Sequence, residues 1–231
     1  LDILQHFIVF ERDNGKIIKK VARYQQLRAA NKIVERVTHT DKKQGVIWHT
    51  QGSGKSLTML YTAYKLQKAE ELDDPTIFIV VDRKDLKDQM GDTFFDCVFP
   101  NARQVMSVGD LKSIIKDKPA GVFITTIQKF NELGSIVDER GNVIVLIDEA
   151  HRTEYGDYQM ELQAVLPNAK RFAFTGTPIP KTHREFGIKD ENGKIEYYLD
   201  KYSVIDAIND GATKPIKYTL GFLNIFINSA R

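Results

Sequence analysis

The stretch His49-Thr50-Gln51-Gly52-Ser53-Gly54-Lys55-Ser56 decides the fold, read with the apolar run Val46-Ile47-Trp48 before it and Leu57-Thr58-Met59-Leu60-Tyr61-Thr62-Ala63 after it. A short strand, a glycine-containing turn and helix-compatible spacing make a phosphate cradle. The backbone amides of the turn and of the first helical turn have no partner inside the helix and point at an anion. The ligand this implies is ATP with Mg2+. Lys55 reaches the β- and γ-phosphates as a point charge, and the Ser56 hydroxyl is placed to hold magnesium. A side chain at Gly52 or Gly54 would keep the backbone away from the phosphates, and Ser53 between them completes the turn. His49 stands where the usual pattern G-x-x-x-x-G-K-[ST] begins with glycine. A bare strand-to-helix loop is the alternative, and the order of the motifs downstream argues against it.

Outward from this point, strand and helix patterns alternate. Thr76 to Val81, Gly121 to Thr126, Val143 to Ile147 and Arg171 to Thr175 are continuous apolar runs, as expected of strands covered on both faces. Helix-length segments lie near 84 to 95, 108 to 116, 127 to 134 and 155 to 166. Before the loop, Ala22 to Val37 carries apolar residues at 27, 30, 33, 34 and 37, one face of an amphipathic helix. The expected fold class is α/β, a mostly parallel sheet with helices on both faces and ligands at the carboxyl ends of the strands. Asp13-Asn14-Gly15-Lys16 is a turn signal, so Leu1 to Lys20 reads as a hairpin or as chain entering from upstream.

Two further motifs sit at strand ends. Asp148-Glu149-Ala150-His151 follows the most apolar run, and adjacent carboxylates at the mouth of a buried strand call for a cation. Asp148 would hold magnesium, and Glu149 would orient and deprotonate the attacking water. His151 is expected to contact the next motif, Thr175-Gly176-Thr177-Pro178. There the hydroxyls of Thr175 and Thr177 can bridge the acidic pair and couple hydrolysis to movement.

Composition bounds the rest. The chain's 231 residues suffice for one large domain, and 42% hydrophobic with 28% charged residues is a folded balance. A net charge of +2 supplies no basic field, so any nucleic-acid reading must come from motifs. A lone cysteine, Cys97, excludes an internal disulfide and a cysteine-rich metal site, and suits a cytoplasmic location. No run approaches the ~18 apolar residues of a membrane span, so no membrane partner is expected. The basic residues Lys16, Lys19, Lys20 and Arg23 read as a solvated face.

Together these motifs resemble superfamily 2 helicases and translocases. The phrases FIVFE, ARYQQ with NKIVERV, IWHTQGSGKSLTM, DEAHRTEYG, VLPNA, FTGTPI and YSVIDAINDGATKPI resemble the motor (R) subunit of type I restriction enzymes. The likeness runs to about Lys217; the final stretch from Leu220 to Asn228 does not share it. The resemblance implies a first RecA-like motor domain that hydrolyses ATP and drives translocation on double-stranded DNA before endonucleolytic cleavage, in a complex with specificity and methyltransferase subunits. It implies that Gln26, at the head of the helix before the loop, reads the adenine edge, since an amide both donates and accepts. It also implies DNA contacts from Arg83 and Lys84 after one strand and from Thr126 and Gln128 after another, where loops can grip phosphates without reading sequence. The expected division is 1–20 leading in from an upstream nuclease domain, 21–200 as the motor domain, and 201–231 starting a connection to a second motor domain. The nuclease residues and an arginine finger are expected outside the chain, which begins at Leu1 and reads as a fragment. A superfamily 2 helicase or P-loop ATPase outside restriction, and an assembly module with a degenerate site, are the competing classes. The presence of Lys55, Ser56, Asp148 and Glu149 speaks against the last.

Overall fold

The computed structural model of the chain describes residues 1–13, 15–82, 88, 90, 92–94, 97, 102–148, 155–180, 182, 186–189 and 195–214. Helix α1 (Asp2–His6) leads into an antiparallel hairpin, β1 (Ile8–Asp13) and β2 (Lys16–Val21), followed by helix α2 (Tyr24–His39). Then come β3 (Gln44–His49), α3 (Lys55–Gln67), β4 (Thr76–Val81), β5 (Ala102–Gln104), α4 (Val108–Asp117), β6 (Gly121–Thr126) and α5 (Gln128–Asn131). The described chain continues through β7 (Val143–Asp148), α6 (Tyr155–Val165), β8 (Lys170–Thr175), the short antiparallel pair β9 (Ile188–Lys189) and β10 (Ile195–Glu196), β11 (Asp200–Tyr202) and α7 (Val204–Asn209).

Seven strands form one sheet in the order β11-β3-β8-β7-β4-β6-β5, and every pairing in it is parallel. Alternation along each strand splits the core in two, because successive side chains point to opposite faces. Ile77, Ile79 and Val81 of β4, with Ile144 and Leu146 of β7 and Phe172 and Phe174 of β8, pack with α2 and α3. Phe78 and Val80, with Val143, Val145, Ile147 and Ala173, pack on the other face with Leu111, Ile114 and Ile115 of α4 and Phe130 of α5. Burial on both faces explains why these strands read as unbroken apolar runs. The sheet with helices on both faces is the expected RecA-like α/β architecture.

The hairpin is tied to this body. Phe7 and Val9 join the core on the α3 side, Phe7 stacks at 5.8 Å on Tyr61, and Lys65 of α3 binds the Asp2 carboxylate at 2.7 and 2.8 Å. At the other end, β11 lies across the boundary expected at 200/201 and forms an edge strand beside β3. The region near 84 to 95 lies mostly outside the described residues, as does the stretch from Leu220 to Asn228. No helix among the described residues is long and apolar enough to cross a membrane.

Candidate functional site

The parallel sheet brings the ends of β3, β8, β7, β4 and β6 to one edge, and the described motif residues lie there. The register pairs Trp48 with Thr175, Asp148 with Phe174 and Val81 with Thr126. The phosphate loop leaves β3 at His49 and enters α3 at Lys55, with Gly52 at φ +78° and Gly54 at φ +83°. A Cβ on Gly54 would lie 2.4 Å from the Gln26 amide nitrogen, so the backbone angle favours glycine there and a side chain would have to displace that amide.

Gln26 is buried, and its amide braces the loop. Its Oε1 accepts from the Arg23 backbone N–H at 2.8 Å, while its Nε2 donates to the Gly54 carbonyl at 3.1 Å and the Ser53 carbonyl at 3.4 Å. Gln26, Gly52, Ser53, Gly54 and Leu57 line a cavity of about 300 Å3 together with Lys20, Val21 and Arg23. Two members of the basic group expected as a solvated face, Lys20 and Arg23, are therefore cavity walls; Lys20 also pairs with Glu11. The Ser53 hydroxyl is buried here with no hydrogen-bond partner among the described residues. An unsatisfied buried hydroxyl, and two loop glycines held at positive φ, suit the nucleotide that the motif implies.

On the neighbouring strand end, Gly176 lies against the loop. A Cβ there would meet the Gln51 N–H nitrogen at 3.4 Å and the Lys55 Nζ at 3.5 Å. Thr175 is fully buried, and its Oγ1 accepts from the Thr177 N–H at 3.2 Å, whereas the Thr177 side chain is exposed. Trp48, whose indole N–H donates to the Gly176 carbonyl at 3.2 Å, ties this turn to β3. Asp148 closes β7 between β8 and β4, and Ser56 sits in the first turn of α3, so both stand at the sheet edge that faces the loop. Glu149 and His151 lie outside the described residues. No cluster of three or more His, Cys, Asp or Glu side chains that could hold a metal is present among the described residues, and it is the loop and strand-end motifs alone that point to Ser56 and Asp148.

Of the residues expected on DNA, Arg83 and Lys84 lie outside the described residues. Thr126 is buried and its hydroxyl accepts from Lys129 at 3.4 Å, and Gln128 donates to the Asp82 carbonyl at 2.7 Å, which ties the loop after β6 to the loop after β4.

Sequence reasoning did not identify the carboxylate behind the loop. His49 is fully buried and its Nε2 donates to Asp200 at 2.9 Å, so the histidine in the first motif position is an anchor to β11. Burial alone would raise the Asp200 pKa; hydrogen bonds from His49, Arg28 and Lys32 outweigh it and hold the carboxyl well below its usual range.

A parallel sheet with a phosphate loop after its β3 strand, an acidic strand end and a Thr-Gly-Thr turn at the same edge defines a RecA-like ATPase fold. The chain belongs to the SWI2/SNF2 ATPase family, whose description matches residues 25–231. It is 41% identical over 245 residues to the type I restriction enzyme HindI endonuclease subunit of Haemophilus influenzae, a match covering 94% of this chain and 23% of that subunit. Among solved structures it is similar to the fragment of a putative HsdR subunit of a type I restriction enzyme from Vibrio vulnificus, with TM-score 0.55 and 19% identity over 91% of this chain and 33% of that one. It is also similar to the Sulfolobus solfataricus SWI2/SNF2 ATPase core solved in complex with double-stranded DNA, with TM-score 0.53 and 16% identity over 76% and 34% of the two chains.

Proposed function

We propose that this chain is the first RecA-like motor domain of a type I restriction enzyme R subunit, binding and hydrolysing ATP to drive translocation on double-stranded DNA before cleavage. The observation that carries the reading is the phosphate loop held between Gln26 and the Gly176 turn, with the Lys55 ammonium and Asp148 at one sheet edge. Membership of an ATPase family and 41% identity to a restriction endonuclease subunit support it. The DNA-bound S. solfataricus core supports duplex DNA as the track. In this reading the cytoplasm is the location, specificity and methyltransferase subunits are the partners, 1–20 leads in from a nuclease domain and 201–231 leads toward a second motor domain.

The residues divide the work. Loop amides and Lys55 hold the β- and γ-phosphates, Gln26 and the cavity around it take the base, and Ser56 with Asp148 hold magnesium. The ion, when bound, supplies positive charge to the phosphate oxygens. Glu149 accepts a proton from the water that attacks the γ-phosphorus as the bond to ADP breaks. His151, Thr175 and Thr177 pass the change at the γ-phosphate to the rest of the motor. Thr126 and Gln128 stand at the carboxyl end of β6, on the same sheet edge, and with Arg83 and Lys84 they would meet one strand's phosphates.

The test is titration of a fluorescent ATP analogue with magnesium into the wild-type chain and Lys55→Ala. The variant should bind at least ~10-fold more weakly, a loss of about 1.4 kcal/mol or more. Equal affinity would remove the assignment.

A further inference from the structure

We infer that Asp200 is a positioning residue for the nucleotide site, setting the start of the phosphate loop against the helix that carries Gln26. The inference rests on the nucleotide reading of that site. Asp200 does not line the cavity, yet two segments that lead into its walls, α2 and the end of β3, converge on its carboxylate. Oδ1 accepts from Arg28 Nε at 2.7 Å and Lys32 Nζ at 2.9 Å; Oδ2 accepts from Arg28 Nη2 at 3.0 Å and His49 Nε2 at 2.9 Å. Arg28 and Lys32 lie on α2 just beyond Gln26, and His49 is the last residue of β3 before the loop turns.

The bonds around the knot make it directional. Arg28 also donates to the Lys201 carbonyl at 2.7 Å, Lys32 to the Leu199 carbonyl at 3.1 Å, and the Thr50 N–H to the Tyr202 carbonyl at 2.9 Å. The first two residues of the loop are thus pinned to β11, β11 is pinned to α2, and α2 returns through Gln26 to the far end of the loop at Ser53 and Gly54. Loop and helix form a closed ring of contacts in which the Asp200 carboxylate receives both the α2 cations and the His49 imidazole. A glycine in the first motif position could not reach it; an imidazole does. Because Asp200 accepts only, the hydrogen on His49 Nε2 is fixed, and the ring is held in one orientation beneath the loop. Charge-assisted bonds inside the protein are strong and geometrically demanding, so the amide of Asp200→Asn, with one acceptor oxygen in place of two, cannot serve three cationic or N–H donors.

The experiment compares the fluorescent ATP analogue's affinity for wild type, Asp200→Asn, His49→Ala, His49→Gln and Lys55→Ala, at a temperature where circular dichroism shows each on its folded baseline. Asp200→Asn and His49→Ala should each weaken binding about tenfold, as loss of a partner one shell behind a ligand commonly does. The double variant should be no worse than either single one, because the two act through one bond. His49→Gln, whose amide nitrogen can stand where Nε2 stands, should bind more tightly than His49→Ala. Wild-type affinity in a folded Asp200→Asn, with Lys55→Ala weakened, would overturn the inference and leave the nucleotide reading intact. If Asp200→Asn does not fold, equal affinity of His49→Ala and wild type overturns it in the same way. Unchanged binding in Lys55→Ala would overturn the nucleotide reading and this inference with it.

Discussion

At the residue scale, Gly52 and Gly54 look alike in the sequence and differ in the structure. Both adopt φ near +80°, where an L side chain is disfavoured, but a Cβ at Gly52 meets nothing within 4 Å. A Cβ at Gly54 meets the Gln26 amide nitrogen at 2.4 Å and would displace the group that bonds the Gly54 carbonyl. Gly52→Ala should therefore cost only the backbone strain, about 1–2 kcal/mol. Gly54→Ala adds a displaced buried amide and should cost about 2–4 kcal/mol. Urea midpoints of the two variants check this, and equal losses would mean that Gln26 does not brace the loop. The motif's glycines, Lys55 and Ser56 were legible because the phosphate cradle is local in sequence. The anchoring role of His49 was not, because its partner is Asp200, about 150 positions away in a three-residue strand with no periodicity of its own.

At the element scale, the strands buried on both faces were legible almost to the residue: Thr76 to Val81 and Gly121 to Thr126 are the observed bounds of β4 and β6. β5 and β11, with three residues each, are too short to show a pattern. A quieter signal was available in α2, where Arg28, Lys32 and Arg36 recur every four residues and so share one face. That row binds Asp200, Asp200 and Glu196 in turn, locking α2 to the segment that supplies β10 and β11. β3 and β8 are locked in a comparable way by Trp48, the chain's single tryptophan. Its indole N–H bonds the Gly176 carbonyl, and its ring lies 4.4 Å from the Lys201 ammonium and 5.1 Å from Tyr198. Because Gly176 also borders Lys55, a nucleotide on the phosphate loop should disturb the indole, and titration with unlabelled ATP and magnesium should change the intrinsic fluorescence. Trp48→Phe keeps an aromatic ring without the donor and should cost about 1 kcal/mol of stability by urea unfolding. Constant emission during a titration that calorimetry shows to be saturating would sever the proposed link between the loop and the turn.

At the scale of the whole molecule, two buried carboxylates, one at each end of the sheet, are held in their ionised form and should weaken the fold when acid protonates them. Asp200 sits by the carboxyl ends of the strands, whereas Asp138 lies near their amino ends, held by a bidentate Arg140 that also reaches the Thr76 hydroxyl at 3.0 Å. Burial would raise both pKa values; the bonds from His49, Arg28 and Lys32 at Asp200, and from Arg140 at Asp138, lower them instead. A carboxyl whose folded pKa lies below its unfolded one releases its proton more readily in the native state. Its contribution is complete above the unfolded value of about 3.9 and is lost as the pH falls toward the folded value. Melting temperature should then hold steady from about pH 8 to pH 5 as far as these groups are concerned, and drop steeply below about pH 4. Asp200→Asn removes one of the two charges. It should be less stable than wild type at neutral pH, and the gap should narrow as acid neutralises the same carboxylate in the wild-type chain. A gap that stayed constant from pH 7 down to the acid transition would show that the Asp200 charge adds nothing to the fold beyond the shape of its side chain.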